Sequence, residues 1–557
     1  MKLGLGPLRQ LRHLGRYREI LRVLIKYGFA QVLDQLRLFG LRERIFTRRR
    51  KAEELMPRKV EARLRMALTE LGPAFIKLGQ LLSTRPDLLP PSYIEELSRL
   101  QDRVPPFPSE QVEAILASEL SAAPETRFAR FNSEPLAAAS IGQVHRALLH
   151  TGEEVVVKIK RPGVDDMIKR DLDILTDLAS FVDRSTNLGP VYQFSQIAEE
   201  MKQILLRELD YSIEARHAQR FRHNFAGEKR VYMPRVFWEN TTRNVLTLEY
   251  CEGVNLNRYL QHPLPQPPPE EVAEILADAF FKQVFVDGFF HGDPHPGNIA
   301  VLPDGRLFFM DFGSAGYISE TVREKFVAIA RALHSADPAT VVDELLGFAF
   351  VPPAINRMAL IRDVDELLEQ YFELPLQNIV ISEAIRKLMQ IAVKHRLRFP
   401  HEFILLAKAM MTLEGTVSRL DPEFNLAAAA EKYAPELRRR QLRMELRRLW
   451  GALRGYRRLL EEFPGHAEEL LRASAAGEFK IKVELPQVDP VLNTVKNMVN
   501  RISFSIVLAG LIIALSQNLK LGHISWLEKF HFAEIVLIGA ICAGIYWLIS
   551  IFRSGRM

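Results

Sequence analysis

The sequence predicts an α+β fold of two lobes, with a helical extension before them and a pair of transmembrane helices after them. Three observations predict it. Apolar alternation on both sides of the turn Thr151-Gly152-Glu153 indicates antiparallel strands that end in the run VVVKIK. From residue 251 to about 475 the apolar spacing is helical, except for one loop and hairpin. Two charge-free apolar stretches then close the chain.

The chain has 557 residues, of which 48% are hydrophobic, so it can bury two to four domain cores. Its only cysteines, Cys251 and Cys542, lie far apart in sequence, which argues against a disulfide framework and against a cysteine-built metal site. This composition fits a reducing compartment.

Residues 1–50 hold most of the basic character, with 13 Lys or Arg against three acids. They therefore carry a charge of +10, whereas the whole chain carries +6 and the remainder is slightly acidic. Apolar residues recur among the cations at helical intervals. This pattern is typical of a helix on an anionic membrane surface, and equally of a helix that packs on the main body. Nucleic acid is not an expected partner, because no reader motif accompanies the charge.

The chain divides into five predicted segments. Residues 1–50 are basic amphipathic helices, and 51–130 form a helical extension interrupted by the proline-rich breaks RPDLLPPSY and RVPPFPSE. Residues 131–250 form the small lobe with strands, and 251–495 form the helical large lobe. Residues 496–557 hold the transmembrane hairpin.

The stretches 502–519 and 535–552 contain no charged residue and approach the ~17–25 residues that a membrane-spanning helix needs. We expect them to anchor the protein in a bacterial inner membrane, with the catalytic body in the cytoplasm. Two buried core helices, or a re-entrant first helix, are the alternatives. Small residues spaced by four in each span are suited to close helix packing, within the chain or in a homodimer.

The stretch FFHGDPHPGNIAVLPDGRLFFMDFG, residues 289–313, carries the chemistry. His291 and His295 are four residues apart, as two metal ligands on one helical face would be. Pro294 and Pro296 exclude that helix, because each removes a backbone donor and clashes with the preceding turn. We therefore expect a loop, then the strands Ile299–Leu302 and Leu307–Met310 joined by a turn.

Phosphoryl transfer needs a positioned metal ion, a cation on the nucleotide phosphates and a group that orients the nucleophile. Asn298 and Asp311 offer oxygen ligands suited to Mg²⁺. Asp293 is the candidate base for an acceptor hydroxyl or water. Lys158, in VVVKIK, is placed to reach the α- and β-phosphates. An interior lysine without a partner would be costly, so we expect a helix glutamate to pair with it.

The motifs FIKLGQLLSTRPDLLP, AAASIGQVHRA, VVVKIKRPG, ELDYSIEA, HGDPHPGN and DFG together resemble the UbiB/AarF family of atypical kinases of ubiquinone biosynthesis. The resemblance runs from about residue 60 to 320 and implies a protein-kinase-like fold that binds ATP or ADP with Mg²⁺. It implies that Glu214 pairs with Lys158. It also assigns a gate over the acceptor site, in which Lys77 pairs with Glu208 and a protein substrate is excluded. The residues of this gate come from two motifs: Lys77, Gln80, Glu208 and Asp210.

Two features differ from an ordinary protein kinase. Alanines stand where a glycine-rich loop is expected, and each added Cβ restricts backbone approach to phosphates. We predict that nucleotide binds this loop in an altered geometry, through Ala138, Ala139, Ser140 and Gly142. In addition, Lys158 and Glu214 are 56 positions apart in the sequence, which indicates helices inserted into the small lobe.

The predicted function is a membrane-anchored, Mg²⁺-dependent atypical kinase or ATPase that supports ubiquinone biosynthesis by acting on, or mobilising, lipid precursors. Its expected partners are membrane lipids, quinone precursors and other enzymes of quinone synthesis. One alternative is a small-molecule phosphotransferase, because HGDPHPGN also resembles aminoglycoside and choline kinases, although these lack the KLGQ extension and the terminal hairpin. A second alternative is a scaffold that binds nucleotide without turnover.

Overall fold

The computed structural model describes residues 7–30, 59–320 and most of 322–433, together with four isolated positions up to 450. The gaps within these ranges are short: 87, 101–103, 187–192, 324, 326–327, 330–336, 352–354 and 373–379. Residues 1–447 form one structural unit, which contains every element described below. The boundaries of the five predicted segments stay predictions.

The basic N-terminal arm contributes helix α1 (Pro7–Lys26), which packs on the body of the protein. Ile20 and Val23 are buried in a core shared with the helical extension. The Arg16 guanidinium donates to both carboxylate oxygens of Asp171 at 2.9 and 2.7 Å, and Asp171 is itself buried. Of the two interpretations left open for this arm, the structure shows the packed helix for residues 7–30.

The extension is helical, as predicted for residues 51 to 120, over the part that the structure describes. Proline occupies the first turn of three of its helices, where its missing N–H needs no intrahelical acceptor. The helices are α2 (Val60–Leu71), α3 (Pro73–Ser83), α4 (Pro91–Leu97), α5 (Ser109–Glu119) and α6 (Pro124–Arg127).

The small lobe begins with four strands: β1 (Phe128–Phe131), β2 (Ala137–Ala138), β3 (Gly142–Leu149) and β4 (Glu154–Lys160). Strands β3 and β4 are antiparallel, with Val144 opposite Lys158, which confirms the predicted hairpin. Gly152 has φ +94° at the turn, in the region that favours glycine.

The described residues then form three helices, as the long separation of Lys158 and Glu214 predicts: α7 (Val164–Ser185), α8 (Phe194–Glu208) and α9 (Tyr211–Asn224). The chain then forms β5 (Val231–Tyr232), a 3₁₀ helix (Trp238–Asn240) and β6 (Val245–Glu249). Strand β6 pairs with β4, so the sheet has the order β1-β3-β4-β6, with β2 on β3.

The large lobe opens with short elements around the loop of interest. They are β7 (Val254–Asn255), α10 (Leu256–Tyr259), α11 (Pro269–Phe281), a π-helix (Lys282–Asp287), β8 (Phe289–His291), a 3₁₀ helix (Pro296–Asn298), β9 (Ile299–Val301), β10 (Leu307–Phe309) and β11 (Ala315–Tyr317). Strands β9 and β10 are antiparallel neighbours, so the predicted hairpin is confirmed. Strand β8 pairs with β11, a pairing that sequence patterning did not predict.

Five further helices complete the described part of the lobe: α12 (Pro338–Leu346), α13 (Arg357–Phe372), α14 (Ile381–Lys394), α15 (His401–Leu420) and α16 (Leu426–Glu431). One core cluster joins α11 and α15 to the loop region and to β6 of the small lobe. Phe312 and Phe290 are fully buried in it. The loop of interest therefore lies on a rigid support.

The predicted localisation requires correction. Within the described ranges, no helix is both long enough and apolar enough to cross a membrane. Three of the described helices have 20 residues or more, α1, α7 and α15, and each contains several Lys, Arg, Asp or Glu residues. This finding contradicts an inner-membrane protein anchored by two C-terminal spans. The stretches predicted to be those spans, 502–519 and 535–552, lie outside the described residues.

Candidate active site

An ion pair within the small lobe, between strand β4 and helix α9, forms the middle of the site. Lys158 on β4 donates from Nζ to both carboxylate oxygens of Glu214 on α9, at 3.0 and 2.8 Å. Nζ also lies 5.1 Å from the centre of the Tyr211 ring. Burial acts to lower the pKa of Lys158, but the charges of Glu214 and Asp311 outweigh it and raise this pKa, so the ammonium stays charged.

Asp311 follows β10 and lies within electrostatic range of this pair. Burial alone would raise its pKa, but the Lys158 charge and a hydrogen bond from the Gly313 N–H, at 2.8 Å, hold the pKa of Asp311 below its usual value. Asp311 is therefore ionised at neutral pH, which is the state that a Mg²⁺ ligand needs.

Two histidines hold the backbone around Asp311. His291 donates from Nε2 to the carbonyl of Asp311, and its Nδ1 accepts the N–H of Asp293 at 3.1 Å. His217, one turn after Glu214 on α9, bonds through Nδ1 to the carbonyl of Phe312 at 3.0 Å. Burial lowers the pKa of both histidines, so both are neutral.

Sequence reasoning missed these two positioning residues. The spacing of His291 raised only a role as a metal ligand, which the prolines excluded. In the structure its partners are the Asp311 carbonyl and the Asp293 N–H. For His217, the available signal was its spacing of three from Glu214, which places both side chains on one helical face.

Asp293 and Asn298 lie in the loop between β8 and β9. Asn298 donates from Nδ2 to the Asp293 carbonyl at 3.2 Å, which leaves its amide oxygen available as a ligand. The Asp293 carboxylate oxygen Oδ1 lies 3.3 Å from Nζ of Lys408 on α15. No sequence pattern pointed to Lys408, which is far from this loop in the chain.

The alanine-rich loop is closed by its own backbone. The Ala139 N–H donates to the Gly142 carbonyl at 2.7 Å, so this donor is already used within the turn. Gly142 is buried on β3, where an added Cβ would lie 2.5 Å from the Ile159 carbonyl oxygen and in contact with the Tyr211 hydroxyl. The need for glycine here is thus a matter of strand packing. Ala138 is half-buried and Ser140 is buried. Nucleotide binding by these residues stays a prediction.

The predicted gate residues fall into two groups. Lys77 on α3 lies with Nζ 3.6 Å from the Glu208 carboxylate, and its charge helps to lower the pKa of Asp311. Gln80 and Asp210 have local partners. Gln80 donates to the Leu100 carbonyl at 3.2 Å, and Asp210 caps α9 by accepting from the Ser212 N–H at 3.0 Å.

The donor set fits a nucleotide-bound Mg²⁺ ion. Among the described residues there is no group of three or more His, Cys, Asp or Glu side chains that would hold a metal ion by themselves. Mg²⁺ in kinase sites needs only one or two protein oxygens, because phosphates and water complete its shell. Asp311 and Asn298 are suited to supply these oxygens, and Lys158 a cation for the phosphates.

Sequence comparison agrees with this arrangement. Residues 99–345 match the ABC1 atypical kinase-like domain, 364–425 match the UbiB helical domain, and 486–553 match the ABC1/UbiB kinase-like C-terminal domain. The chain belongs to the ABC1/UbiB family of atypical kinase-like proteins. This confirms the predicted family and the kinase-like fold of mixed helices and strands, and a kinase-like domain generally implies binding of ATP and Mg²⁺.

Two relatives illustrate the ABC1/UbiB match. The uncharacterized protein sll1770 of Synechocystis is 40% identical over 67% of this chain, and the chain spans 64% of its length. The probable protein kinase UbiB of Marinobacter nauticus is 33% identical over 68% of this chain and 70% of its own. The Mycobacterium tuberculosis protein Rv3197, solved in complex with erythromycin, is 26% identical, with a TM-score of 0.46 over 66% of this chain and 93% of its own.

Proposed function

We propose that this protein is a Mg²⁺-dependent atypical kinase or ATPase that uses ATP in support of isoprenoid quinone biosynthesis and acts on a lipid precursor. One observation carries the catalytic part. The ion pair of Lys158 with Glu214, at 2.8 Å, lies beside an ionised Asp311, and His291 links Asp311 to the loop that holds Asp293. Together these side chains provide the three parts that phosphoryl transfer needs.

Each residue has a distinct task in this proposal. Lys158, oriented by Glu214, binds the α- and β-phosphates. Asp311 and Asn298 would hold Mg²⁺, which would neutralise charge that develops on the phosphates. Asp293 orients the acceptor hydroxyl and takes its proton as the acceptor oxygen bonds to the γ-phosphorus and ADP departs. His291 bonds to the backbone of both Asp293 and Asp311 and so holds these two residues in a fixed relative position.

The quinone part rests on the family and on the gate. The likeness to a UbiB protein favours a role in ubiquinone synthesis. Lys77, at 3.6 Å from Glu208 and within electrostatic range of Asp311, supports an extension that covers the acceptor side and excludes a folded protein substrate. A small-molecule or lipid acceptor fits this covered site better than a protein does.

Calorimetry and product analysis test the two parts separately. Wild-type protein should bind Mg²⁺-ADP, and Asp311→Asn should abolish the Mg²⁺ dependence, because one carboxylate ligand is lost. Lys158→Met should also lose binding, whereas Lys202→Met, which removes a half-buried lysine paired with Asp173 at 2.7 Å, should not. Unchanged Mg²⁺-ADP affinity in Asp311→Asn would refute the metal assignment.

The acceptor is tested by ATP turnover with and without a polyprenyl-phenol in detergent micelles, followed by mass spectrometry. A phosphorylated lipid identifies a kinase, and lipid-stimulated phosphate release without such a product identifies an ATPase. Nucleotide binding without turnover under any condition would leave only the scaffold alternative. Lys77→Ala should keep nucleotide binding and increase phosphorylation of the chain itself, because the covered site opens.

A further inference from the structure

Phosphoryl transfer at this site needs a cation near the γ-phosphate, and the local sequence lacks one. The loop from Gly292 to Asn298 reads GDPHPGN and contains no lysine or arginine. Lys158 is held by Glu214, on the side assigned to the α- and β-phosphates. Charge that develops on the transferred group close to Asp293 therefore has no counter-charge from this loop.

Helix α15 brings a lysine to that position from a remote part of the chain. The Lys408 Nζ lies 3.3 Å from Oδ1 of Asp293, and the two side chains are 29% and 35% exposed. Both side chains are therefore partly open to solvent, so a ligand can contact them. Within the described residues, Asp293 is the only acid that Lys408 contacts within 4.0 Å.

The position of Lys408 is set by the packing of α15. Leu405, one turn earlier on the same helical face, lies against Gly292, where an added Cβ would be only 2.7 Å from the leucine Cδ1. Leu406 and Ala409, on either side of Lys408, are buried in the core that includes α11 and β8. The helix is thus rigid against the loop, and only the flexible lysine stem is free to move.

We propose that Lys408 is a further catalytic residue, which leaves Asp293 and contacts the γ-phosphate oxygens when ATP binds. A lysine is a compact charge with three donors on a four-carbon stem, so it can change partner over a few ångströms without a backbone shift. Asp293 is then released to accept the acceptor proton while the bond from the acceptor oxygen to phosphorus forms and the bond to the ADP oxygen breaks. Lys408 keeps its own proton throughout.

This proposal rests on the proposed function, and it differs from a plain structural ion pair in a measurable way. A γ-phosphate contact affects a triphosphate but not a diphosphate. An ion pair that only holds the loop on α15 affects both nucleotides alike, or neither. Two variants break the same pair from opposite sides: Lys408→Met removes the cation, and Asp293→Asn removes the acid.

The experiment is calorimetric titration of the full chain with Mg²⁺-ADP and with Mg²⁺-AMPPNP, a non-hydrolysable triphosphate. Lys408→Met should bind Mg²⁺-ADP as wild type does and bind Mg²⁺-AMPPNP on the order of tenfold more weakly, as for the loss of one charge-assisted hydrogen bond. Asp293→Asn should keep the wild-type affinity for Mg²⁺-AMPPNP. Lys432→Met, which removes an exposed lysine paired with Glu274 at 3.2 Å, is the matched control.

The outcomes distinguish a failure of this inference from a failure of the proposed function on which it rests. If wild-type protein binds neither nucleotide, the proposed function fails and this inference fails with it. If wild type binds both and Lys408→Met weakens them equally, or weakens neither, Lys408 is a structural partner of Asp293 and only this inference is overturned. If Lys408→Met fails to fold, Lys408→Gln takes its place, and the Asp293→Asn titration is compared with it. If Asp293→Asn loses affinity for Mg²⁺-AMPPNP just as the Lys408 variant does, this inference is overturned.

Discussion

The contact between Gly292 and α15 provides a direct test of how the loop is positioned. In Gly292→Ala the new Cβ would lie 2.6 Å from Oγ of Ser314, 2.7 Å from Cδ1 of Leu405 and 2.9 Å from Cγ of Leu405. Carbon atoms in favourable contact are about 3.5–4.0 Å apart, so the loop and α15 must separate by about 1 Å. Ser314 can rotate its hydroxyl away, but Leu405 is only 9% exposed and is packed in the core.

The expected cost follows from this overlap. Overpacking a well-filled core costs about 1–3 kcal/mol, and we expect about 2 kcal/mol of lost unfolding free energy for Gly292→Ala. Leu405→Ala creates a cavity and should cost about 3 kcal/mol, within the usual range for a buried leucine. Because the second substitution removes the atoms that the first one meets, the double variant should cost about 3 kcal/mol rather than the additive value of about 5 kcal/mol.

Urea unfolding followed by circular dichroism measures all three free energies. Gly415→Ala is the glycine control on α15, because its Cβ would meet no atom within 4 Å. It should be neutral or stabilise by up to about 1 kcal/mol, since alanine is favoured inside a helix. Additivity of Gly292→Ala and Leu405→Ala to within about 0.5 kcal/mol would refute the proposed contact.

Three further predictions concern stability. Arg16→Met should lower the unfolding free energy by about 3 kcal/mol, because it leaves the buried Asp171 carboxylate without its bidentate partner. Urea unfolding measures this loss, and an unchanged urea midpoint would contradict the packing of α1 on the body. Gly142→Ala should lower the thermal midpoint, since its Cβ would lie 2.5 Å from the Ile159 carbonyl oxygen, and a wild-type melting curve would contradict that packing. Lowering the pH from 7 to about 5.5 should reduce the unfolding free energy by up to about 1.4 kcal/mol per pH unit for each buried histidine. The reason is that folding lowers the pKa of His291 below its unfolded value of about 6.5, so the unfolded chain binds more protons. If His291→Asn does not reduce the slope of unfolding free energy against pH, this prediction is wrong.

Much of the fold could be predicted from the sequence, because its signals are local. Period-2 alternation and a glycine turn specify the hairpin of β3 and β4, and the same chemistry specifies β9 and β10. Prolines exclude a helix at HGDPHPGN, and proline-rich breaks delimit the helices of the extension. The candidate residues Lys158, Asp293, Asn298 and Asp311 follow from side-chain chemistry and their order along the chain.

Other parts depended on the resemblance to a family or lay beyond sequence patterning. The pairing of Lys158 with Glu214 spans 56 residues, and no periodicity indicates which of the intervening acids reaches the lysine. The strand pairing of β8 with β11 joins segments too short to carry a pattern of their own. The membrane prediction rested on apolar stretches alone, and the described helices contradict the localisation derived from it.

Only the tertiary structure decided which remote groups complete the site. Residue type and order along the chain identify Asp293 as the candidate base, but only the packing of α15 against Gly292 brings Lys408 to within 3.3 Å of it. In the same way, the position of α9 places His217 on the Phe312 carbonyl, and that of α1 places Arg16 on Asp171. Local backbone preferences act over a few residues and are visible in sequence, whereas these contacts depend on how whole helices pack, which is determined by the shape of the complete core.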